Sequence, residues 1–591
     1  MKILFPLLLW VLSFTPNSFA TIRIEEVGLQ GYYSTASPTS VRIRISNVAH
    51  TGPVRLEIKV IDGGKTQYGP LRTDRYSLNV NVKTNDDTEV DVPIALIFNN
   101  GSELQVVARD SAGQTVGSSS LDLNSSAPRG NQYVVLILCR ERKICDDAQT
   151  QINFSGTPQD VTNKNAAMRF VTMDALRSSW WDYSAANFVV IAESTSAWTS
   201  EQRQALEYYV RGGGKSVLLE KEIADPTLFS SYREGPVKSE PVAVGRGKLY
   251  RVVELAGKNL GSVFVSKSPW PMTDYSAQFE PLGWLRNQAG VSFTFPRFRW
   301  LLIWLAIYIL IVGLVNFLLL QRMRRLEWGW FSTSAIAVAF AFALYMAATA
   351  DRPKRVTLDN VAVYWMDAHS NVAAEDIGLR ISSPSRQNIS LAIGDSALLL
   401  PQFNQSNAVT ADLARELFRN GRSVQPGSHI DLGPPLQTDV SLLRWSLKDL
   451  NFQTMRAFPG SVTLTDNLRL KNNTGQYFKQ GLYFDFEGNE RYLIPKLGSG
   501  EEIDINTCSR EPINYRGEQQ TPNWDPRHTQ VVTVLKHSGL PPLNNLESSS
   551  FDRNGAKHVF VGLTDSPVPP VNLSLTDLNR NDVTLTIVSL D

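Results

Sequence analysis

Histidine and cysteine are scarce in this chain, whose 591 residues include six histidines and three cysteines. Cys139, Cys145 and Cys508 are too few for a fold held together by disulfides. His50, His369, His429, His528, His537 and His558 never fall at a spacing such as His-x-x-x-His or His-Glu-x-x-His, so no metal site is expected. No histidine lies between His50 and His369, which leaves a long interval without a local base for a cysteine or serine nucleophile. Net charge is nearly absent as well. The formal balance of +1 lacks the basic excess of a nucleic-acid binder. With 43% hydrophobic and 19% charged residues, the chain is neither disordered nor a polytopic transporter.

Nucleotide-binding loops are missing too. "YYVRGGGKSVLLE", residues 208–220, ends its glycines in Gly214-Lys215-Ser216, but Tyr209 stands where a phosphate loop needs its first glycine. The expected order is also helix, glycines, strand, which is the reverse of a phosphate loop. Gly212–Gly214 are therefore expected to supply a left-handed helix cap and a turn. No Gly-x-Ser-x-Gly elbow surrounds Ser194. No catalytic set, cofactor or nucleotide is expected from these residues.

Long apolar runs, by contrast, are present. Residues 1–20, "MKILFPLLLWVLSFTPNSFA", combine Lys2, an apolar stretch and a Ser18-Phe19-Ala20 site, the pattern of a cleaved export signal. An uncleaved anchor is the alternative. Residues 300–320 and 330–350 are two uncharged spans long enough to cross a bilayer. Arg322, Arg324 and Arg325 lie in the connecting loop at 321–329 and suit a cytoplasmic side, but Arg297, Arg299, Arg352, Lys354 and Arg355 make the outer flanks basic as well, so charge alone is ambiguous and the leader decides. The leader then places both large soluble regions outside. Asn316 is the strongly polar residue of the first span; it either contacts a partner helix, bonds Ser332, Thr333 or Ser334 in the second span, or sits near the interface.

A length prior of about four domains suits the remaining pattern. Residues 21–124 alternate apolar and charged positions, as in Val41-Arg42-Ile43-Arg44-Ile45, and about seven such runs suggest an immunoglobulin-like β-sandwich. Residues 128–265 switch to short continuous apolar runs separated by helix signals, including a capping box from Thr199 to Gln202, which predicts a parallel α/β layer fold. The chain is strand-rich again at 355–458 and 460–591, which suggests two β-rich modules meeting near Phe458-Pro459-Gly460, with "TADLARELFRNG" as a helical excursion.

The stretch from "RFVTMDALRSSWWDY" through "YYVRGGGKSVLLE", with the hairpin-like "VGRGKLYRV" after it, resembles the type-1 glutamine-amidotransferase-like fold of extracytoplasmic membrane-anchored proteins. The paired spans around "R-x-x-R-x-E-W-x-W" are similar to uncharacterised bacterial envelope proteins, some encoded near MoxR-type ATPases and von Willebrand-domain proteins. The resemblance implies an elbow cysteine with a histidine and a glutamate in active members. Here Cys139 ends the wrong strand, and the loop after "FVVIA" carries Glu193, Ser194 and Thr195 instead. A von Willebrand metal motif is replaced by "CRERK". The implied domain is thus a degenerate one.

Three candidate features remain. Glu193, Ser194 and Glu220 sit at strand ends where α/β folds place ligands, although solvated loop carboxylates are the plainer reading. Trp180, Trp181 and Tyr183 are a candidate exposed aromatic patch, with packing beneath the α/β domain as the alternative. Cys139 and Cys145 are a candidate disulfide, with Cys139 as a plain buried residue otherwise. The reading is a non-enzymatic scaffold or partner-binding protein, integral to the bacterial inner membrane by two spans, with its soluble parts in the periplasm. A carboxylate-dependent hydrolase using the α/β crevice and a glycan-binding envelope protein are the rivals.

Overall fold

The computed structural model describes residues 20–29, 31, 33, 38–46, 48, 51–62, 72–84, 86–95, 103–123, 133–139, 141–151, 166–171, 176–186, 188–192, 195–219, 228–233, 241–253, 298–350, 355–393, 398–400, 425–432, 436–442, 446–465, 467–488, 490–512, 557–564, 572–573 and 578–590. The structure is mostly β-strand, in several sheets, and carries two helices long and apolar enough to span a membrane. The expected leader and the "TADLARELFRNG" helix lie outside the described residues.

Alternation governs the first strands: β1 (Thr21–Val27), β2 (Pro38–Ser46), β3 (Gly52–Asp62), β4 (Arg72–Val82), β5 (Thr88–Ala95), β6 (Glu103–Arg109) and β7 (Thr115–Asp122). Val41, Ile43 and Ile45 are fully buried, while Arg42 and Arg44 between them stay partly exposed, as a pleat with one wet face requires. Strands β1, β2 and β5 form one antiparallel sheet in the order β1-β2-β5. Strands β4, β3, β6 and β7 lie side by side in another.

The apolar runs that follow form β8 (Tyr133–Leu138), β9 (Ala166–Val171), β10 (Phe188–Ile191) and β11 (Lys215–Leu219), then the hairpin β12 (Val242–Val244) and β13 (Gly247–Val252). The sheet order is β12-β13-β11-β10-β8-β9, and all neighbours are parallel except β12 with β13. Helix α1 (Arg142–Gln151) links β8 to β9, and α2 (Ser200–Arg211) links β10 to β11. Both sheet faces are covered. Val135, Ile137, Val190 and Val217 pack with Ala148 of α1, and Leu136, Val189, Ile191 and Leu218 pack with Leu206 and Val210 of α2.

Helix α2 begins at the expected capping box. The Gln202 amide donates to Thr199 Oγ1 at 3.3 Å, and the Thr199 amide donates to Gln202 Oε1 at 3.0 Å. Replacing Thr199 with Ala removes that cap and lowers stability by about 1 kcal/mol, measured as a fall in the thermal midpoint. The chain then runs helix, glycines, strand. The left-handed residue is Gly213, at φ +120°, one position past the cap. Gly214 is glycine because a Cβ there would stand 2.4 Å from the Tyr209 ring.

The membrane-type segment consists of α3 (Phe298–Leu310), a π-helical turn (Ile311–Val315), α4 (Asn316–Arg322), a short 3-10 turn (Leu326–Trp328) and α5 (Gly329–Ala350). The two candidate spans, Leu302–Arg322 and Leu326–Met346, have mean hydropathies of 2.6 and 1.5. Their apolar side chains are left uncovered, with Trp330 at 78% and Val338 at 71% exposure, as a lipid-facing surface would be. Asn316 is buried between the helices and donates to Thr333 Oγ1 at 3.3 Å.

The C-terminal strands are β14 (Val356–Asp367), β15 (Val372–Ser383), β16 (Gln387–Ile393), β17 (Leu398–Leu400), β18 (Gln425–Asp431), β19 (Leu436–Leu442), β20 (Ser446–Ala457), β21 (Val462–Leu464), β22 (Arg469–Asn472), β23 (Gln480–Asp485), β24 (Glu490–Ile494), β25 (Glu502–Asp504), β26 (Ser509–Pro512), β27 (His558–Thr564), β28 (Asn572–Leu573) and β29 (Leu578–Ser589). Nine of them form one sheet, β17-β20-β15-β14-β29-β27-β23-β24-β26. Strands on both sides of Phe458-Pro459-Gly460 share this sheet, because β29 runs parallel to β14 along its whole length.

The soluble regions before and after the helices are joined. An eight-stranded sheet, β28-β16-β19-β18-β4-β3-β6-β7, takes half its strands from each, and β18 pairs in parallel with β4 through Arg75↔His429, Tyr76↔Ile430 and Ser77↔Asp431. Strand β14 is buried at every position because its two faces serve two cores. Leu358, Ala362, Tyr364 and Met366 pack with the N-terminal strands' core, while Val361, Val363 and Trp365 pack with the parallel sheet's.

Candidate functional site

Glu193, Ser194 and Glu220, the candidate polar site of the α/β segment, all lie outside the described residues. At the neighbouring strand end Cys139 is buried and disulfide-bonded, and Cys508 is a free thiol.

The aromatic patch is corrected. Trp180 is 5% exposed, Tyr183 is fully buried and Trp181 is half-buried. Residues Trp180–Ala185 form a 3-10 turn wedged between α2 and β2. Tyr183 donates to the Arg177 carbonyl at 3.1 Å and packs on Tyr209 with ring centres 5.9 Å apart. These aromatics seal one segment onto another and leave no platform for an external ligand. Beneath them, the buried Arg177 guanidinium pairs with Asp91 at 2.7 Å and also with Glu26. Asp182 is buried beside this pair, with neither carboxyl oxygen in a hydrogen bond. Burial pushes its pKa up to about 8. Asp91 and Glu26 push the same way, and Ser40 and Arg42 oppose them.

A second joint holds the parallel sheet to the nine-stranded one. Asp367 ends β14, and its carboxylate accepts from four donors: Arg211 Nη1 at 2.8 Å, Tyr232 OH at 2.6 Å, the Gly245 amide at 3.0 Å and the His369 amide at 3.1 Å. Arg211 is the last residue of α2, where a cation also suits the helix dipole. Burial opposes its charge, but Asp367 holds the guanidinium above its ordinary pKa. Burial raises the Tyr232 hydroxyl, and Asp367 adds to that. Nearby, Arg246 bonds Asp376 at 2.9 Å and lies over the Trp365 ring, whose Nε1 donates to the same carboxylate at 3.1 Å. Burial still raises Asp376. Burial also lifts Glu375, beside Arg456 and Tyr364, to about 7.

A cleft of about 560 Å³ opens against this joint. Gln204, Glu207, Tyr208 and Arg211 of α2 form one wall, the turn Phe229–Tyr232 a second, and residues Ala368–Val372 with Gly460 and Ser461 the third. Glu207 accepts from the Phe229 amide through one oxygen at 3.0 Å, and Gln204 donates to Tyr208 OH at 2.8 Å. The ring of His369 meets Tyr232 edge-on at 5.7 Å. Sequence reading passed over Glu207, Arg211, Asp367 and His369, which lie far apart along the chain. The available signal was an acidic residue closing an otherwise apolar strand, "VAVYWMD", and an arginine in a helix's last turn. On the opposite face of the parallel sheet, Lys215 is buried over the Phe188 ring at 5.0 Å, and burial pulls its amine down to about 7 with Lys248 assisting. No group of three or more potential metal ligands occurs among the described residues.

The chain matches no established family and no curated protein. Solved structures give only faint likenesses. Pseudomonas fluorescens alkylpurine DNA glycosylase AlkC is 8% identical over 20% of this chain and 33% of its own, with a TM-score of 0.15. Chicken MD-1 complexed with lipid IVa is 15% identical over 18% and 83%, with a TM-score of 0.13. A Bacteroides uniformis beta-glucuronidase 2 mutant is 9% identical over 37% and 29%, with a TM-score of 0.14. The chain thus spans about a third of the glycosylase, and no likeness at these scores bears on fold or activity.

Proposed function

We propose that this protein is a membrane-anchored scaffold or partner-binding protein of the bacterial cell envelope, with both soluble regions on the extracytoplasmic side. One observation carries the reading: strands from before and after the helical pair hydrogen-bond in one sheet through β4 and β18. Backbone pairing cannot cross a hydrocarbon core, so the two helices act as a hairpin whose outer ends share a side. The arginine-bearing tip and the export-type leader assign that side. The oxidised state of Cys139 suits an oxidising compartment; the side chain of Cys145, its expected partner, lies outside the described residues.

The finer fold assignments rest on strand order. The split of β1-β2-β5 against β4-β3-β6-β7 supports an immunoglobulin-like sandwich. The parallel order β9-β8-β10-β11-β13 is that of a flavodoxin-like doubly wound sheet, which supports a degenerate amidotransferase-like domain.

Alkaline phosphatase fused after Asp591 is expected to be active, and the same enzyme inserted between Arg324 and Arg325 inactive. The reverse pattern overturns the orientation. Cross-linking and pull-down from native membranes test the scaffold role. A protein that purifies alone, and whose deletion leaves envelope complexes unchanged, has no such role.

A further inference from the structure

We infer that the cleft beside Asp367 binds a neutral carbohydrate, with a sugar ring lying on Tyr208. The inference rests on the cleft alone and holds whether or not the protein recruits a protein partner. The volume of about 560 Å³ falls within the roughly 300–1,000 Å³ of small-molecule sites.

Charge narrows the class. Among the described residues Arg211 is the only arginine or lysine lining the cleft, and its guanidinium is already bound to Asp367 and lies over Tyr232. An anionic ligand would meet Glu207 with no uncommitted cation to balance it. An apolar ligand fails for the opposite reason. The second Glu207 oxygen, the Ser231 hydroxyl and the Asn371 side-chain amide make no hydrogen bond within the described residues, so covering them with hydrocarbon would desolvate each without compensation. A ligand carrying many hydroxyls both donates and accepts, and satisfies all three.

Tyr208 completes the set. It is half-buried, and its hydroxyl is held by Gln204, so the ring offers an apolar face at a fixed orientation. The walls are equally fixed, because α2 is capped at one end and bound to β14 through Arg211 at the other.

The test is titration calorimetry of the full-length protein in detergent with neutral β-1,4-linked glucose and N-acetylglucosamine oligosaccharides, and with inorganic phosphate and a polygalacturonate fragment. At least one neutral oligosaccharide is expected to bind saturably. Tyr208→Ala is expected to weaken it by about tenfold, or ~1.4 kcal/mol, with Asn371→Ala also weaker. Tyr208→Phe, which keeps the ring, should retain most of the affinity and exclude a folding defect. Tyr477→Ala, at an exposed site outside the cleft lining, should bind as the parent does. Absence of binding by every neutral sugar, binding of phosphate or polygalacturonate alone, or sugar binding unchanged in Tyr208→Ala and Asn371→Ala would each overturn the assignment.

Discussion

Asp367→Ala is expected to lower stability by roughly 3–5 kcal/mol, the cost of leaving a buried cation without its partner. The Arg211 side chain is 6% exposed and Asp367 is 1% exposed, so solvent cannot take over the lost contact. Truncation also removes the acceptor of the Tyr232 hydroxyl and of the Gly245 and His369 amides. The measurement is the unfolding midpoint of the full-length protein, followed by limited proteolysis between residues 133 and 253. The variant should release that segment early, because Asp367 is its main polar tie to β14. The paired replacement Arg211→Met with Asp367→Leu should recover the part of the loss due to the unpaired cation, since a buried ion pair exchanged for apolar groups of similar size is often neutral, but not the part due to the three other donors. A single variant as stable as the parent would show that the joint is held by packing alone.

Asp182 gives the second large effect, and it depends on pH. A carboxyl whose pKa is about 8 in the folded protein and about 3.9 unfolded is protonated natively across that interval. The folded state then binds more protons than the unfolded one. Stability is fully present below about pH 4 and falls as pH rises, with the loss complete above about pH 8. At ~1.36 kcal/mol per unit, the difference is on the order of 5 kcal/mol. Asp182→Asn removes the titration while keeping shape and polarity. The variant and parent should have similar midpoints near pH 4, and the variant should melt well above the parent at pH 8. Glu26 and Asp91 add to the rise from burial, while Ser40 and Arg42 oppose it, so replacing any of these neighbours should also move the parent's curve. Glu375, raised to about 7, adds a smaller slope of the same sign that persists in Asp182→Asn. Equal melting of parent and variant at pH 8 would mean that Asp182 ionises in the fold without penalty.

Local signals were the legible part of the sequence. Arg42 and Arg44 alternate with buried neighbours, Thr199 and Gln202 cap a helix, and two uncharged runs make long apolar helices. Each depends on residues a few positions apart, where periodicity and capping chemistry act. The partition of the C-terminal half was not legible, because the parallel pairing of β14 with β29 joins residues far apart along the chain and leaves no mark in either strand's alternation. For Trp180 and Tyr183 the sequence offered both exposure and packing, and what decides for packing is not adjacent in sequence: "SSWWDY" is covered by β2 and α2. The cleft is assembled from three separate segments, and no single stretch carries the spacing of a site.

The pairing of β4 with β18 also constrains how the molecule is made. Strand β4 ends at Val82 and β18 begins at Gln425, with both membrane-type helices between them. At synthesis rates of roughly 5–20 residues per second, β4 waits tens of seconds for its neighbour with an open row of amides and carbonyls. A nascent chain in that condition invites strand pairing with its siblings, so a holdase that shields the edge of β4 during synthesis would be a natural companion of its biogenesis.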